Sequence, residues 1–405
     1  MPEISQRGIQ MPESPIRKLA PFAEAAKAEG IRVYHLNIGQ PDLPSPASAL
    51  EAIRNINRTT LEYSPSDGYR YYRENLVGYY KKFNINLTPD EIIITAGGSE
   101  AVLYAFMACL NPGDEIIVHE PAYANYMAFA TSAGAIIRTV PSEMETGFAL
   151  PPIEEFEKII NERTKGILIC NPNNPTGYVY SPEEMEKIRL LVKKHNLYLF
   201  SDEVYREFIY NDTPYISACH LKDVEENVVL IDSVSKRYSE CGIRIGALIT
   251  KNKKVHDTVM KFCQARLSPP LIGQIAANAS LKESSAYMQH NYNEYKGRRD
   301  FLIERLNKIP GVYSPMPQGA FYTLAQLPVE DADHFCSWCL SEFSYNGETI
   351  FMAPASGFYV TPGLGKKEVR IAYVLNKDDL DKALTILEKA LEAYPHTTGY
   401  PHTTG

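Results

Sequence analysis

The chain has 405 residues, 44% hydrophobic and 22% charged, which is too long for one ordinary core and leads us to expect two domains. A net charge of −8 argues against a surface made for nucleic acid or an anionic membrane. No apolar run approaches the roughly 20 residues needed to span a bilayer. The seven cysteines are scattered without framework spacing and the N-terminus lacks a leader pattern, so a reducing cytoplasm is expected.

In chain order, runs rich in Ile, Val and Leu recur at Glu91–Thr95, Glu115–His119, Gly166–Cys170, Leu197–Ser201, Val228–Asp232 and Ile245–Thr250. They lack polar alternation, as strands buried on both faces do. Helical patterns lie between them, as at Ser99–Leu110 and Pro182–His195, the latter opened by an N-cap serine, a proline at N1 and first-turn acids. This alternation predicts an α/β fold with a mainly parallel sheet sandwiched by helices. From about Glu283 the texture changes to a long charged helix (Tyr287–Ile309), short strands near Ala320–Leu324 and Val369–Tyr373, and a helix over Lys377–Ala393. The expected organisation is therefore an N-terminal segment (1–45) packing on the smaller domain, a large domain (46–284), a small α+β domain (285–393) and a flexible tail (394–405). The tail holds an exact duplication, Tyr394–Gly399 and Tyr400–Gly405. Cys336-Ser-Trp-Cys339 lacks a second pair and falls in an amphipathic helical pattern, so buried thiols are expected rather than a metal site.

Three short stretches carry the chemistry. Asn171-Pro-Asn-Asn-Pro-Thr-Gly177 precedes Ser201-Asp-Glu-Val-Tyr205, and both precede Asp232-Ser-Val-Ser-Lys-Arg-Tyr-Ser-Glu-Cys-Gly-Ile-Arg-Ile-Gly246. A desolvated lysine at the end of an apolar strand, Lys236, can form a Schiff base. Ser233, three residues before it, and Arg244, eight after it, can hold a phosphate. Asp202, ending a buried strand, can keep a pyridine nitrogen protonated and so make the ring an electron sink. Upstream, Thr95-Ala-Gly-Gly-Ser-Glu100 follows a strand and opens a helix, where glycines and free N–H groups suit an anion, although Gly-rich βα turns are common.

In this order the motifs make the chain resemble the class I aminotransferases, fold-type I pyridoxal-phosphate enzymes, from about Leu36 to Ala393. The resemblance implies pyridoxal 5′-phosphate as cofactor, with its phosphate on Gly97, Gly98, Ser99, Ser233, Ser235 and Arg244. It implies stacking of Tyr123 on the ring, with ordinary packing as the alternative, and contact of Asn174 and Tyr205 with the ring oxygen. It further implies Lys236, Asp202 and Tyr205 as catalytic groups, Arg370 on the substrate α-carboxylate, Asn174 as a further substrate contact, and Gly39 where the N-terminal segment crosses the substrate. Tyr63 matches a tyrosine donated to the neighbouring subunit's phosphate, which implies a homodimer with shared sites. Glu120–Pro121 and Asn174–Pro175 are the expected cis bonds. The activity implied is ping-pong transfer of an amino group from an amino acid, expected to be aspartate, to a 2-oxo acid, expected to be 2-oxoglutarate. Arg266 is the candidate for the substrate's second carboxylate, with an interface salt bridge as the alternative. An aromatic or broad-specificity aminotransferase, or a β-eliminating lyase, are the competing activities. A ligand-sensing regulator is disfavoured because nothing helix-turn-helix-like precedes Leu36.

Overall fold

The computed structural model describes residues 2–398. Its strands in chain order are β1 (Arg32–His35), β2 (Ile92–Thr95), β3 (Glu115–Glu120), β4 (Ile136–Pro141), β5 (Thr164–Cys170), β6 (Tyr198–Asp202), β7 (Val228–Ser233), β8 (Gly246–Ile249), β9 (Tyr322–Gln326), β10 (Glu348–Phe351), β11 (Ala353–Pro354) and β12 (Glu368–Ala372). Seven form one sheet in the order β2-β8-β7-β6-β5-β3-β4. Pairings from β4 to β7 are parallel, whereas β8 runs antiparallel to both β7 and β2. Two reversals leave β2 running the same way as β3–β7, so the carboxyl ends of six strands share one edge. Ligands bind at that edge in open α/β sheets.

Every residue of β2, β3, β7 and β8 is buried, which matches their unbroken apolar runs. The edge strand β4 has only one buried residue, Val140. Its mixed sequence Ile-Ile-Arg-Thr-Val-Pro gave no continuous apolar run, which is why the sequence reading passed over it.

The remaining strands form two small sheets. β1 pairs in parallel with β10, from Arg32↔Glu348 to His35↔Phe351, and β11, β12 and β9 form an antiparallel sheet. The helices Ser285–Leu306 and Lys377–Ala393 pack on each other. One apolar cluster includes Phe200 and Ile231 of the large sheet together with Ile371 and Leu387. Among the described residues, no helix is long and apolar enough to cross a membrane.

Cys336 and Cys339 lie on the helix Ala332–Ser341, both buried, and burial pushes their thiols far up. Glu120–Pro121 and Asn174–Pro175 are cis, and Asn171–Pro172 is a third cis bond.

The expected flexible tail needs correction at its start. Tyr394 is 1% exposed and bonded to His334 Nδ1, Thr397 bridges Val329, and the Thr398 N–H donates to the Pro328 carbonyl. An aromatic ring directly after an amphipathic helix has apolar surface to bury, so this part of the first copy packs. The second copy lies outside the described residues.

Candidate active site

A cavity of about 610 Å³ opens at the carboxyl edge of the large sheet, within the size range of small-molecule sites. Cys170, Asp202 and Ser233, the last residues of β5, β6 and β7, all line it.

One end combines a helix N-terminus, hydroxyls and a guanidinium, groups that suit an anion. Gly97 follows β2 at φ 83°, a conformation that favours glycine, and the helix Gly98–Cys109 begins directly after it. A Cβ on Gly97 would lie 2.3 Å from Arg244 Nη2, so only glycine admits the guanidinium. Arg244 donates to the Cys241 carbonyl at 3.1 Å and the Ala96 carbonyl at 3.4 Å, and lines the cavity with Gly98, Ser99, Ser233 and Ser235. The Ser233 hydroxyl accepts from the Ser235 N–H at 3.2 Å, fixing the turn that carries Lys236.

That turn is also pinned from behind. Arg237 lies 2.5 Å from Asp232, which a second buried arginine, Arg206, approaches to 3.0 Å. Burial alone would raise the Asp232 carboxyl, but Arg206 and Arg237 hold it down to about 2. With Arg237 anchored in the sheet, its neighbour Lys236 projects into the cavity, where Nζ donates to the Gly39 carbonyl at 2.8 Å. Burial favours the neutral amine at Lys236; Tyr322, Cys241 and Tyr123 act oppositely and leave it above its ordinary value.

Asp202 and Glu203 are separated by strand alternation. Glu203 turns away and accepts from Ser201 Oγ and the Ala218 N–H, both at 2.8 Å. Asp202 faces the cavity, where it accepts from Tyr126 Oη at 2.7 Å. It has no cation within 4 Å among the described residues, and burial, opposed by the Tyr126 bond, pushes its carboxyl up to about 6. A buried carboxylate in that position gains from a cationic ring nitrogen.

Arg370 presents the opposite need. It is 1% exposed, donates to Asn174 Oδ1 at 3.1 Å and to the Asn37 carbonyl, and stacks 4.5 Å over Tyr322. Its Nε has no partner, no carboxylate of the described residues lies within 4 Å, and burial lowers its affinity for a proton. A bidentate carboxylate would satisfy it. Asn171, by contrast, is structural: its side chain bonds the Tyr180 N–H and the Ile216 carbonyl.

Tyr123, Tyr205 and Gly39 also line the cavity. A Cβ on Gly39 would lie 1.9 Å from Tyr322 Oη, so the glycine is what admits that ring. Tyr322 Oη is 2.9 Å from Tyr205 Oη and 3.4 Å from the Gly39 carbonyl. The sequence reading missed Tyr322 and Tyr126, which belong to no motif in a chain of 27 tyrosines.

Two expected residues are not brought here. Tyr63 is 75% exposed and outside the cavity. Arg266 needs correction as a substrate ligand of its own chain: its guanidinium donates to the Ser66 carbonyl at 3.2 Å and lies 3.5 Å from Glu100. It ends the helix Lys253–Arg266, and these nearby acceptors hold it behind the Gly97 turn.

A stability prediction arises from the loop between Lys236 and Arg244. Glu240 is 4% exposed, with one oxygen accepting from Ser280 Oγ and the other without a partner. Burial and Glu283 outweigh Ser280 and Arg237, pushing the carboxyl from 4.5 up to about 7. A raised acid binds its proton more tightly when folded, so its contribution is full below pH ~4.5 and is lost as pH rises through ~7. Glu240→Gln should therefore add about 3 kcal/mol at pH 8 and little at pH 4. Denaturant titrations of both proteins at the two pH values check this; an equal change at both would refute it.

The family described as aminotransferase class I and II matches residues 31–387. An aspartate aminotransferase of Thermotoga maritima is 32% identical over 96% of this chain and 100% of its own. A probable aspartate/prephenate aminotransferase of Aquifex aeolicus is 30% identical over 96% of this chain and 98% of its own. The solved structure of an alanine aminotransferase from Pyrococcus furiosus superposes with a TM-score of 0.87 at 30% identity, covering 96% of this chain and 99% of that one.

Proposed function

Because the chain belongs to the class I and II aminotransferases and is a transaminase, we propose that it moves the α-amino group of aspartate to 2-oxoglutarate, with pyridoxal 5′-phosphate bound in the Lys236 cavity. One observation carries this reading: a single cavity holds a buried carboxylate without a cation, Asp202, and a buried guanidinium without a carboxylate, Arg370. The residues present fit the cofactor and an amino-acid substrate at once.

In this reading Gly98, Ser99, Ser233, Ser235 and Arg244 hold the phosphate, with Gly97 admitting the arginine. Tyr123 covers the ring, and Asn174 and Tyr205 bind its oxygen. When bound, the cofactor would supply an electron-withdrawing ring as the acceptor for electron density at the substrate Cα. Asp202 holds the proton on the ring nitrogen, and Tyr126 holds Asp202. Arg370 grips the α-carboxylate and so orients the Cα–H bond toward Lys236. Lys236 takes the proton from Cα and returns it at the carbon that receives the amino group. The first oxo acid leaves before the second enters, a ping-pong order. The exposed Tyr63 suits donation to a partner subunit's phosphate, as a homodimer with shared sites requires.

Names of relatives favour aspartate, while the Pyrococcus furiosus neighbour favours a wider donor range as second reading. A panel of amino donors with 2-oxoglutarate decides between them. Aspartate should exceed alanine and phenylalanine in kcat/KM at least about tenfold, the scale of one charge-assisted contact. No preference would refute the aspartate assignment, and pyruvate release from cysteine without an oxo acid would refute transamination as the main reaction.

A further inference from the structure

A second cavity, of about 650 Å³, shares no lining residue with the active site, and its size suits a small molecule. It lies between the end of the helix Arg70–Lys81, the stretch 206–215 that follows β6, and the first turns of the helix Ser285–Leu306. Five aromatic rings line it: Tyr79, Phe83, Tyr215, Tyr238 and Tyr292. The centroids of Tyr79 and Phe83 are 5.3 Å apart and those of Phe83 and Tyr215 are 5.9 Å apart, so these three rings adjoin one another. Tyr238 is only 4% exposed, yet its Oη has no hydrogen-bond partner among the described residues, and neither has Tyr292 Oη.

Two charged members of the lining, Arg206 and Glu207, belong to a buried ionic group. Arg206 lies 3.0 Å from Asp232 and 3.7 Å from Glu203, and Arg237 joins Asp232 to Glu207, 3.2 Å away. None of these five side chains is more than 7% exposed. Two guanidiniums thus face three carboxylates, a formal excess of one negative charge. Glu207 carries the unmet share: one oxygen accepts from Tyr79 Oη and Arg237, whereas Oε2 is buried without a partner. The other charged lining residues, Lys82 and Glu283, offset each other, so the excess remains.

We propose that this cavity is a binding site, separate from the catalytic one, for a small organic cation: a protonated amine on an aromatic or aliphatic body. Ring faces attract a cation through their quadrupole and cover its apolar part. The uncompensated carboxylate charge adds an attraction that acts through several ångströms of poorly screening interior, and the Tyr238 and Tyr292 oxygens can accept from an ammonium N–H. The site borders the catalytic machinery without joining it, because Tyr238 follows Lys236 by two residues and Glu207 shares Arg237 with Asp232. This inference goes beyond the aminotransferase reading and stands independently of it.

The test is calorimetric binding of N,N-dimethylbenzylammonium to the protein loaded with pyridoxal phosphate. Its tertiary nitrogen keeps one N–H donor but cannot form an imine with the cofactor. Wild type should bind it at least about 10-fold more tightly than benzyl methyl ether, a neutral analogue. Glu207→Gln should weaken the cation about 10-fold and leave the ether nearly unchanged. Phe83→Leu and Tyr292→Leu, which keep the wall apolar and leave the ionic group intact, should each weaken the cation about 3- to 10-fold. Equal affinity for cation and ether overturns the ligand class. Cation affinity unchanged in all three variants, or no binding to wild type at millimolar concentration, overturns the site.

Discussion

Lys236→Ala is expected to lose transaminase activity by about 10⁴-fold, the upper end for removing a general base that acts in the rate-limiting proton transfer. The side chain projects from a turn that other residues hold: Ser233 caps it and Arg237 is anchored to Asp232. Alanine removes the amine and its bond to the Gly39 carbonyl without touching those anchors. Cofactor binding through Arg244 and the Gly98 turn should survive, so equilibrium dialysis should still find bound pyridoxal phosphate. Assay of aspartate–2-oxoglutarate transfer checks the rate. Activity within tenfold of wild type would remove Lys236 from the reaction.

Asp202→Ala should cost rate far more than affinity. The carboxylate is buried, accepts from Tyr126 and lies in the same cavity as Lys236. Its removal leaves the phosphate contacts in place but takes away the charge that keeps the ring nitrogen protonated. The expected loss in kcat is about 10²–10³-fold, as for other preorganised electrostatic groups, with cofactor affinity changed less than tenfold. Asp202→Glu lengthens the side chain in a packed site and should restore only part of the rate. Near-wild-type kcat in Asp202→Ala would place the electron sink's partner elsewhere.

What was legible in the sequence follows from how local each signal is. The strands of the sheet interior show as unbroken apolar runs because both faces are buried, and the motifs at their carboxyl ends fall on one edge for the same topological reason. Lys236 and Asp202 stood out because strand ends and motif order mark them, whereas Arg370, in the middle of β12, was implied by the family resemblance alone. Strands with little burial did not show: β4 and β1 each bury a single residue, Val140 and Tyr34. Tyr126 and Tyr322 act through contacts with Asp202 and Tyr205, residues 76 and 117 positions away, which no local pattern encodes. Arg266 lies outside its own chain's cavity, and its position in the chain gave no sign that Ser66 and Glu100 would hold it. The sequence thus marked the candidate residues, whereas long-range packing decides which side chains hold and surround them.

The most direct test of the account is where the cofactor attaches. Protein incubated with pyridoxal phosphate, reduced with borohydride and digested should yield one modified peptide, with the pyridoxyl group on the Lys236 side chain. Excess inorganic phosphate during loading should slow the labelling by competing for the Arg244 and Ser233 end of the cavity. Labelling confined to Lys236 is the predicted result. Stoichiometric labelling of another lysine, with Lys236 unmodified, would contradict the assignment of this cavity as the active site.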